Sequence, residues 1–546
     1  DSMDEAGAVD TLAGILESPD RDLAHAAISG LQKHCGIEGI LVSGERFMAM
    51  LKSPDPGERA AAARILGTVG ASSLYRPLRD LLRDPSAAVR RAALAAAEKI
   101  AHPRLLPRLL PFLSRPGTRR RAIRAVASLG EAALKDLAGI VSDPDSSRDV
   151  VLGVLKAVSL MSPPVAVPFL TEYLFHPDAV ARSLILSRLE SVGCCPERPD
   201  DRQLLSGLMR KESSLAVWLL SCLKALPPGR DFDLLRRALE EERRRCRDRI
   251  LAAASLFGPV QVRGGLRRGI IGDDRASHAY ALEMLDSFLP GELKEQIFPL
   301  LDDLSGDARL ERLGRVHPIP EMEPSRILEA VAGKGDAWIS PWPRAVAVYL
   351  MGKSGDPAYE TFLSGMGEVR VPLLTETALW ALSEISSRRG RGSGRPGVPQ
   401  GGTMLTIEKA LILNEVDFFS GLPGELLSEM AAAAEEMDVP AGQTVAAKGE
   451  RSSAMFVVAS GRVRVHDGEK TLRELEERRA FGTLCALDPR ERSSSATTME
   501  DSLLLKIGHE LLFEFIAESP ELAERIIGSL CRRISNDSQY SDERTS

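Results

Sequence analysis

Residues 481–497 read FGTLCALDPRERSSSAT. A Phe–Gly pair opens the stretch, apolar Leu484 and Leu487 follow, and a run of serines leads through Ala496 and Thr497 toward DSLLLKI at 501–507, a strand. Upstream, QTVAAKGE, AMFVVASGRVRVHDG and TLRELEERRAFG also read as short strands. In Val463-Arg464-Val465 apolar and polar residues alternate with the period of two that marks a half-buried strand. Gly449 and Gly461 stand where tight turns need a positive φ. Helical sequence flanks the strands. LILNEVDFFSGLPGELLSEM comes before them, with Ser420 and Glu425 favouring initiation. HELLFEFIAESPELAERIIGSLCRRI comes after, with Leu522, Ile526, Leu530 and Ile534 spaced at i+4.

The first 386 residues have a different texture, an internal repeat. A proline-containing turn precedes an Ala/Val/Leu-rich helix again and again. The marker prolines Pro19, Pro54, Pro85, Pro116, Pro144 and Pro177 lie 35, 31, 31, 28 and 33 residues apart, a spacing that fits helix hairpins. Each proline is expected to open its helix, since its fixed φ suits the first turn and its missing N–H is not needed there. Ile123, Val126 and Leu129 form a core-facing stripe. Later stretches (KESSLAVWLLSCLKAL, RCRDRILAAASLFG, DDRASHAYALEMLDSFL, WPRAVAVYLMGKSG, VPLLTETALWALSEIS) read as second helices of further pairs. Between 291 and 340 the period is lost, and this segment and its edges hold Pro290, Pro299, Pro318, Pro320, Pro324 and Pro341. SSRRGRGSGRPGVPQGG at 387–403 reads as a flexible linker with a small basic patch at Arg388, Arg389, Arg391 and Arg395.

Composition sets the outer limits. At 546 residues the chain is too long for one core, and 44% hydrophobic with 27% charged residues is a globular balance. No apolar run reaches the 18 residues of a membrane span. The net charge of −7 gives no reason to expect a nucleic-acid partner. Seven scattered cysteines, including the vicinal Cys194–Cys195, show no metal spacing and fit a reducing cytoplasmic setting. Enzyme motifs fail on inspection. GKS at 352–354 has Ala347 where a phosphate loop needs glycine, HELLF at 509–513 lacks the second histidine of a zinc site, and GSGRPG at 392–397 has no strand before it.

Two resemblances follow. Asp84, Pro85, Val89, Arg90, Ala92 and Ala93 match the D-P-x-x-x-V-R-x-A-A pattern of short bacterial HEAT repeats. In that family the Asp and Arg knit neighbouring repeats together and the small residues let helices approach closely. The segments FFSGLPGELL, VPAGQTV, KGE, MFVVASGRVRV and FGTLCAL fall in the order and spacing of the cyclic nucleotide-binding domain. The expected fold class is therefore multidomain α + β: an N-terminal all-α HEAT-like solenoid followed by a C-terminal jelly-roll β-barrel with flanking helices. Its divisions are a HEAT-like α-solenoid at 1–290, an irregular segment with further HEAT-like helices at 291–386, the linker at 387–403, and a cyclic nucleotide-binding-like domain at 404–540.

The second resemblance makes 481–497 the phosphate-binding cassette, which in the family carries a glutamate for the ribose 2′-OH and an arginine for the phosphate. Phe481, Gly482, Leu484, Leu487, Ala496 and Thr497 fit its pattern. Thr483 stands at the acidic position and Ser494 at the arginine position, with two extra residues between FGTLCAL and SSSAT. The candidate ligand-binding residues are thus Phe481, Gly482, Thr483, Leu484, Arg490, Arg492, Ser494, Ser495, Ala496 and Thr497, with Arg490 and Arg492 able to replace the lost arginine. No catalytic or metal residue and no cofactor is expected, and cAMP or cGMP is the ligand that the resemblance implies. The short polar SNDSQYSDERTS after Ile534 leaves no room for a DNA-reading helix and shortens the lid over the base. The function expected is a non-enzymatic regulatory or scaffolding module, its solenoid binding a protein partner and its barrel degenerate. A cyclic-nucleotide sensor and a HEAT-like lyase are the alternatives. Domain order resembles the soluble region of bacterial ADP/ATP-antiporter-like transporter fusions, which implies a location at the cytoplasmic face of the inner membrane through an upstream transmembrane domain.

Overall fold

The computed structural model describes residues 5–194, 199–272, 274–369, 371–389, 404–519 and 521–531. Most of the expected linker, Cys195 and the polar tail lie outside them. The chain forms two compact units, one ending at Tyr173 and the other beginning at Leu174.

In the first unit, the helices Arg21–His34, Pro56–Val69, Ala87–Ile100, Arg119–Ala127 and Arg148–Ser159 stack each on the next. Small residues make the stacking close: a Cβ on Gly67 would come within 2.9 Å of the Ala96 Cα. The marker prolines do not open these helices. They stand outside the cap, and the next polar residues do the capping. Asp20, Asp55 and Ser147 accept from first-turn amides in extended geometry, because an N-cap needs a short acceptor side chain that proline lacks. Between repeats, Arg59 forks onto Asp84 at 2.6 and 2.9 Å and reaches the Ser53 and Pro54 carbonyls. The Asp84 carboxyl is held below its ordinary range by that guanidinium. Arg90 repeats the motif on the Asp84 and Pro85 carbonyls, each at 2.7 Å.

The second unit begins as the same kind of stack and then leaves it. Asp233–Ser255 packs on Ala179–Ser191 before it and directly on Pro341–Ser354, which packs on Pro372–Arg389. Of the five α-helices between them among the described residues, Ile327–Ala332 packs on Pro341–Ser354, and Val260–Ile271, Arg275–Phe288, Gly291–Leu301 and Gly306–Leu313 form an excursion that interrupts the period. The stretches KESSLAVWLLSCLKAL and RCRDRILAAASLFG, expected as second helices of separate repeats, fall in the longer helices Pro199–Ala225 and Asp233–Ser255. They are two long partners that pack on each other.

A buried ion network runs through this stack. Arg182, fully buried, donates to Glu212 at 3.0 Å, and Arg249 donates to the other oxygen of that carboxylate at 3.0 Å. Arg249 lies 3.5 Å from Glu242, Glu242 lies 3.5 Å from Arg245, and Arg245 pairs with Glu425 at 2.8 Å. Glu425 opens the Gly424–Ala433 helix, and the Gly424 amide donates to Glu241 at 2.9 Å. The helical lead-in of the barrel is thus seated on the stack by charge as well as by the Trp342 indole, which leaves room at 424 for glycine alone.

The barrel has ten strands: β1 Glu435–Val439, β2 Thr444–Ala446, β3 Arg451–Ser452, β4 Ala454–Ser460, β5 Val463–Asp467, β6 Lys470–Leu475, β7 Ala480–Phe481, β8 Arg490–Glu491, β9 Ser495–Thr498 and β10 Ser502–Gly508. They pair antiparallel in the orders β1-β10-β4-β7, β2-β9-β5-β6 and β3-β8. The expected strands all appear, and Gly449 and Gly461 have φ of +82° and +90°. Val439, Phe456, Val458, Val463, Phe481, Ala496 and Leu504 are part of its core. The His509–Glu518 helix and a helix at 521–531 follow, the latter burying Leu522 and Ile526.

Glu212 is the hub of the network. Burial alone would raise its pKa, but Arg249 and Arg182 together outweigh that and hold it below the ordinary range. Glu212→Ala leaves two buried guanidinium groups without their carboxylate and should destabilise the second unit by about 3–5 kcal/mol in denaturant unfolding. The contribution of Glu212 is fully present at neutral pH and is lost as the pH falls below about 4. A loss under 1 kcal/mol would show that the network is incidental.

Candidate functional site

The cassette is built where β7 turns into the Thr483–Leu487 helix. Gly482 makes that turn in the left-handed region, with φ +75°. A Cβ there would lie 2.6 Å from Arg492 Nη1 and 2.9 Å from the Ala454 carbonyl oxygen, so both conformation and space require glycine. The helix that follows leaves the amides of its first turn without intrahelical acceptors. Phe481 anchors the turn from below, its ring 5.1 Å from that of Phe456 in the barrel core.

Arg492 comes back over this turn from the segment between β8 and β9. Its side chain is buried, and its guanidinium lies 5.3 Å from the centre of the Phe456 ring. Nη2 donates to Ser452 Oγ at 2.9 Å and to the Ala454 carbonyl at 3.0 Å, while Nη1 faces Gly482. The backbone holds it there: its amide donates to the Glu450 carbonyl and its carbonyl accepts from Gly449, each at 2.9 Å. All of these side-chain partners are neutral, and among the described residues no carboxylate pairs with the guanidinium. Burial pulls its pKa down from the ordinary arginine value, yet an arginine so placed stays charged. Beside it, Thr483 is buried and its Oγ1 has no hydrogen-bond partner. A positive group with no carboxylate in contact, Glu450 acting on it only from a distance, and a hydroxyl with no partner among the described residues therefore meet at the head of the cassette helix. That arrangement can take an anion carrying a hydroxyl or another polar atom.

The structure brings Phe481, Gly482, Thr483 and Arg492 together and leaves the other sequence candidates apart. Arg490 is half exposed in β8, 3.9 Å from Asp488. Leu484 is exposed on the outer side of the short helix, and Ala496 belongs to the barrel core. Ser495 Oγ accepts from the Lys448 amide at 3.0 Å, and Thr497 Oγ1 is taken by Thr444 and His466. Ser494 belongs to the run of three serines that leads into β9, whereas the Arg492 side chain lies against Gly482. Sequence reasoning also missed Ser452 and the Ala454 carbonyl, which orient Arg492, and His509, whose Nδ1 lies 2.8 Å from the Ala486 carbonyl.

A groove of about 450 Å³ lies away from the cassette, between Val416–Phe418 and the β6–β7 connection. Two of its arginines pair with surface carboxylates, Arg462 with Glu500 and Arg478 with Glu415. Arg478 takes a φ of +67° in this connection, a strained conformation for a residue other than glycine.

Comparison with known proteins identifies the two kinds of domain. Residues 436–519 match the family model of the cyclic nucleotide-binding domain, and residues 44–118 match that of HEAT repeats. A CRP-like cAMP-activated global transcriptional regulator of Mycobacterium tuberculosis is 30% identical over 128 residues, 22% of this chain and 57% of that protein. The cyclic AMP receptor protein of Thermus thermophilus is 33% identical over 121 residues, 21% of this chain and 56% of that protein. The solved Thermus thermophilus catabolite activator protein is 31% identical, with a TM-score of 0.22 over 23% of this chain and 62% of that one. The chain thus spans little more than half the length of these curated relatives. It joins HEAT repeats to a C-terminal domain of the cyclic nucleotide-binding type.

Proposed function

We propose that this chain is a non-enzymatic, nucleotide-responsive regulatory protein. Its cassette takes a cyclic nucleoside monophosphate, and its repeats present a surface to a protein partner. The observation that carries the reading is Arg492, buried against Gly482 with only neutral partners. A cyclic phosphate at the Thr483–Leu487 helix would supply the missing negative charge through a charge-assisted contact. Thr483 replaces a carboxylate with a hydroxyl, so the sugar is held by a weaker bond. Two of the relatives are described as cAMP-activated or as a cyclic AMP receptor, which makes cAMP the first ligand to try.

A route from cassette to repeats is built from contacts within the second unit. The cassette helix meets His509 through the Ala486 carbonyl, and the His509–Glu518 helix packs on Gly424–Ala433. Glu425 of that helix is held by Arg245 of the repeat stack. Occupancy that shifts the cassette helix would act on the Arg245–Glu425 pair.

Calorimetric titration with cAMP and cGMP tests the reading. At least one should bind in the micromolar range. Arg492→Ala should weaken it at least tenfold, since a charged hydrogen bond is worth roughly 1.5–3 kcal/mol. Thr483→Glu should tighten binding by about tenfold by restoring a charged acceptor. Gly482→Ala should abolish binding and lower barrel stability by about 1–3 kcal/mol through overpacking and a strained φ. Absence of binding by both nucleotides at millimolar concentration would contradict the proposal.

A further inference from the structure

The chain carries a net charge of −7, but that figure conceals a sharp segregation. Residues 59–124 hold 15 Arg and Lys against 3 Asp and Glu, a net +12, and 14 of the 15 cations are arginine. All of them lie in the first unit. A few are consumed by the repeat architecture: Arg59 on Asp84, Arg90 on the turn carbonyls, and Arg124 on Glu98. The layer formed by Tyr75–Leu81 and Leu106–Leu113 keeps others exposed. Arg76 and Arg83 belong to one repeat, and Arg104 and Arg115 to the next.

Two of these converge. Arg104 Nη1 donates to Tyr75 Oη at 2.7 Å, and Arg76 Nε reaches the same oxygen at 3.4 Å. Their guanidinium carbons lie 5.7 and 6.0 Å from the Tyr75 ring centre, and the other side of the cluster is closed by His102, stacked on Tyr75 at 4.0 Å. Two cations from adjacent repeats share one phenol oxygen, and among the described residues neither is paired with a carboxylate. Like charges held this close favour an anion placed between them.

We propose that this face of the first unit, centred on Arg76, Tyr75 and Arg104, binds the phosphodiester backbone of a nucleic-acid duplex. Three features favour that partner. Arginine rather than lysine supplies the charge, and its planar fork matches phosphate oxygens. The cations recur from repeat to repeat along a stack, which suits a partner whose charge also repeats. None of the exposed large apolar side chains falls within 59–124, whereas a surface that lies in a lipid interface interleaves such residues with its cations. The inference rests on the first unit alone and is independent of the cassette reading.

The test is fluorescence anisotropy of the full chain with labelled 30-base-pair DNA and RNA duplexes at about 50 and 200 mM salt. At least one duplex should bind, with an affinity that falls steeply as salt rises. Arg76→Glu/Arg104→Glu should weaken binding at least tenfold and reduce the salt slope by about 2. Arg83→Gln/Arg115→Gln, which leaves Tyr75 and its partners intact, should weaken it to a smaller extent. The proposal is overturned if neither duplex binds at the lower salt or if both double variants bind as the parent does. It is also overturned if vesicles of anionic phospholipid or poly-glutamate bind as tightly as the duplexes.

Discussion

A guanidinium taken out of water must find a counter-charge or a full set of acceptors, and this constraint shapes the chain at each level of its architecture. In the first unit it joins repeats: Arg59 is neutralised by Asp84 from the next turn, and the bond fixes the register of one helix pair against its neighbour. In the second unit it builds a network, in which Glu212 answers both Arg182 and Arg249 and the chain of charges continues to Glu425 at the foot of the barrel. In the cassette the same residue type is buried with only neutral hydrogen-bond partners, and this marks the candidate site.

The contrast between these arginines separates structural burial from poised burial. Arg182 and Arg249 have their charge balanced by protein, so they contribute to one fixed arrangement. Arg492 has geometry without balance. Ser452, the Ala454 carbonyl and the Phe456 ring aim it, but the negative group has to come from elsewhere. Thr483 extends the same asymmetry to neutral groups, since a buried hydroxyl with no partner is also waiting for one.

Much of this was legible in the sequence where the physics is local. The period-two alternation of Val463-Arg464-Val465 and the turn glycines located the barrel, and the recurring prolines located the repeats. What escaped was set by tertiary contact. The helix starts fell on Asp20, Asp55 and Ser147 rather than on the prolines, because capping geometry and not backbone stiffness fixes the boundary. The pairing of Pro199–Ala225 with Asp233–Ser255 could not be read from their similar apolar patterns. The place of Arg492 could not be decided by counting, since a stretch of serines between β8 and β9 has no pattern that fixes its register. The carbonyl of Ala454 does fix it, from 38 residues away.

Net charge was informative only at the right scale. An average over 546 residues hides the basic repeats entirely, because like charges spread through a solenoid follow its repeats and not the whole chain.

The role of Arg492 depends on where an anion sits in the barrel, and a crystal structure of the protein grown with cAMP or cGMP locates it directly. The cyclic phosphate should lie within hydrogen-bond distance of the Arg492 guanidinium and of the amides at the start of the Thr483–Leu487 helix, with Thr483 Oγ1 on the sugar. An empty cassette, or a nucleotide bound elsewhere while Arg492 keeps only its neutral partners, would contradict it.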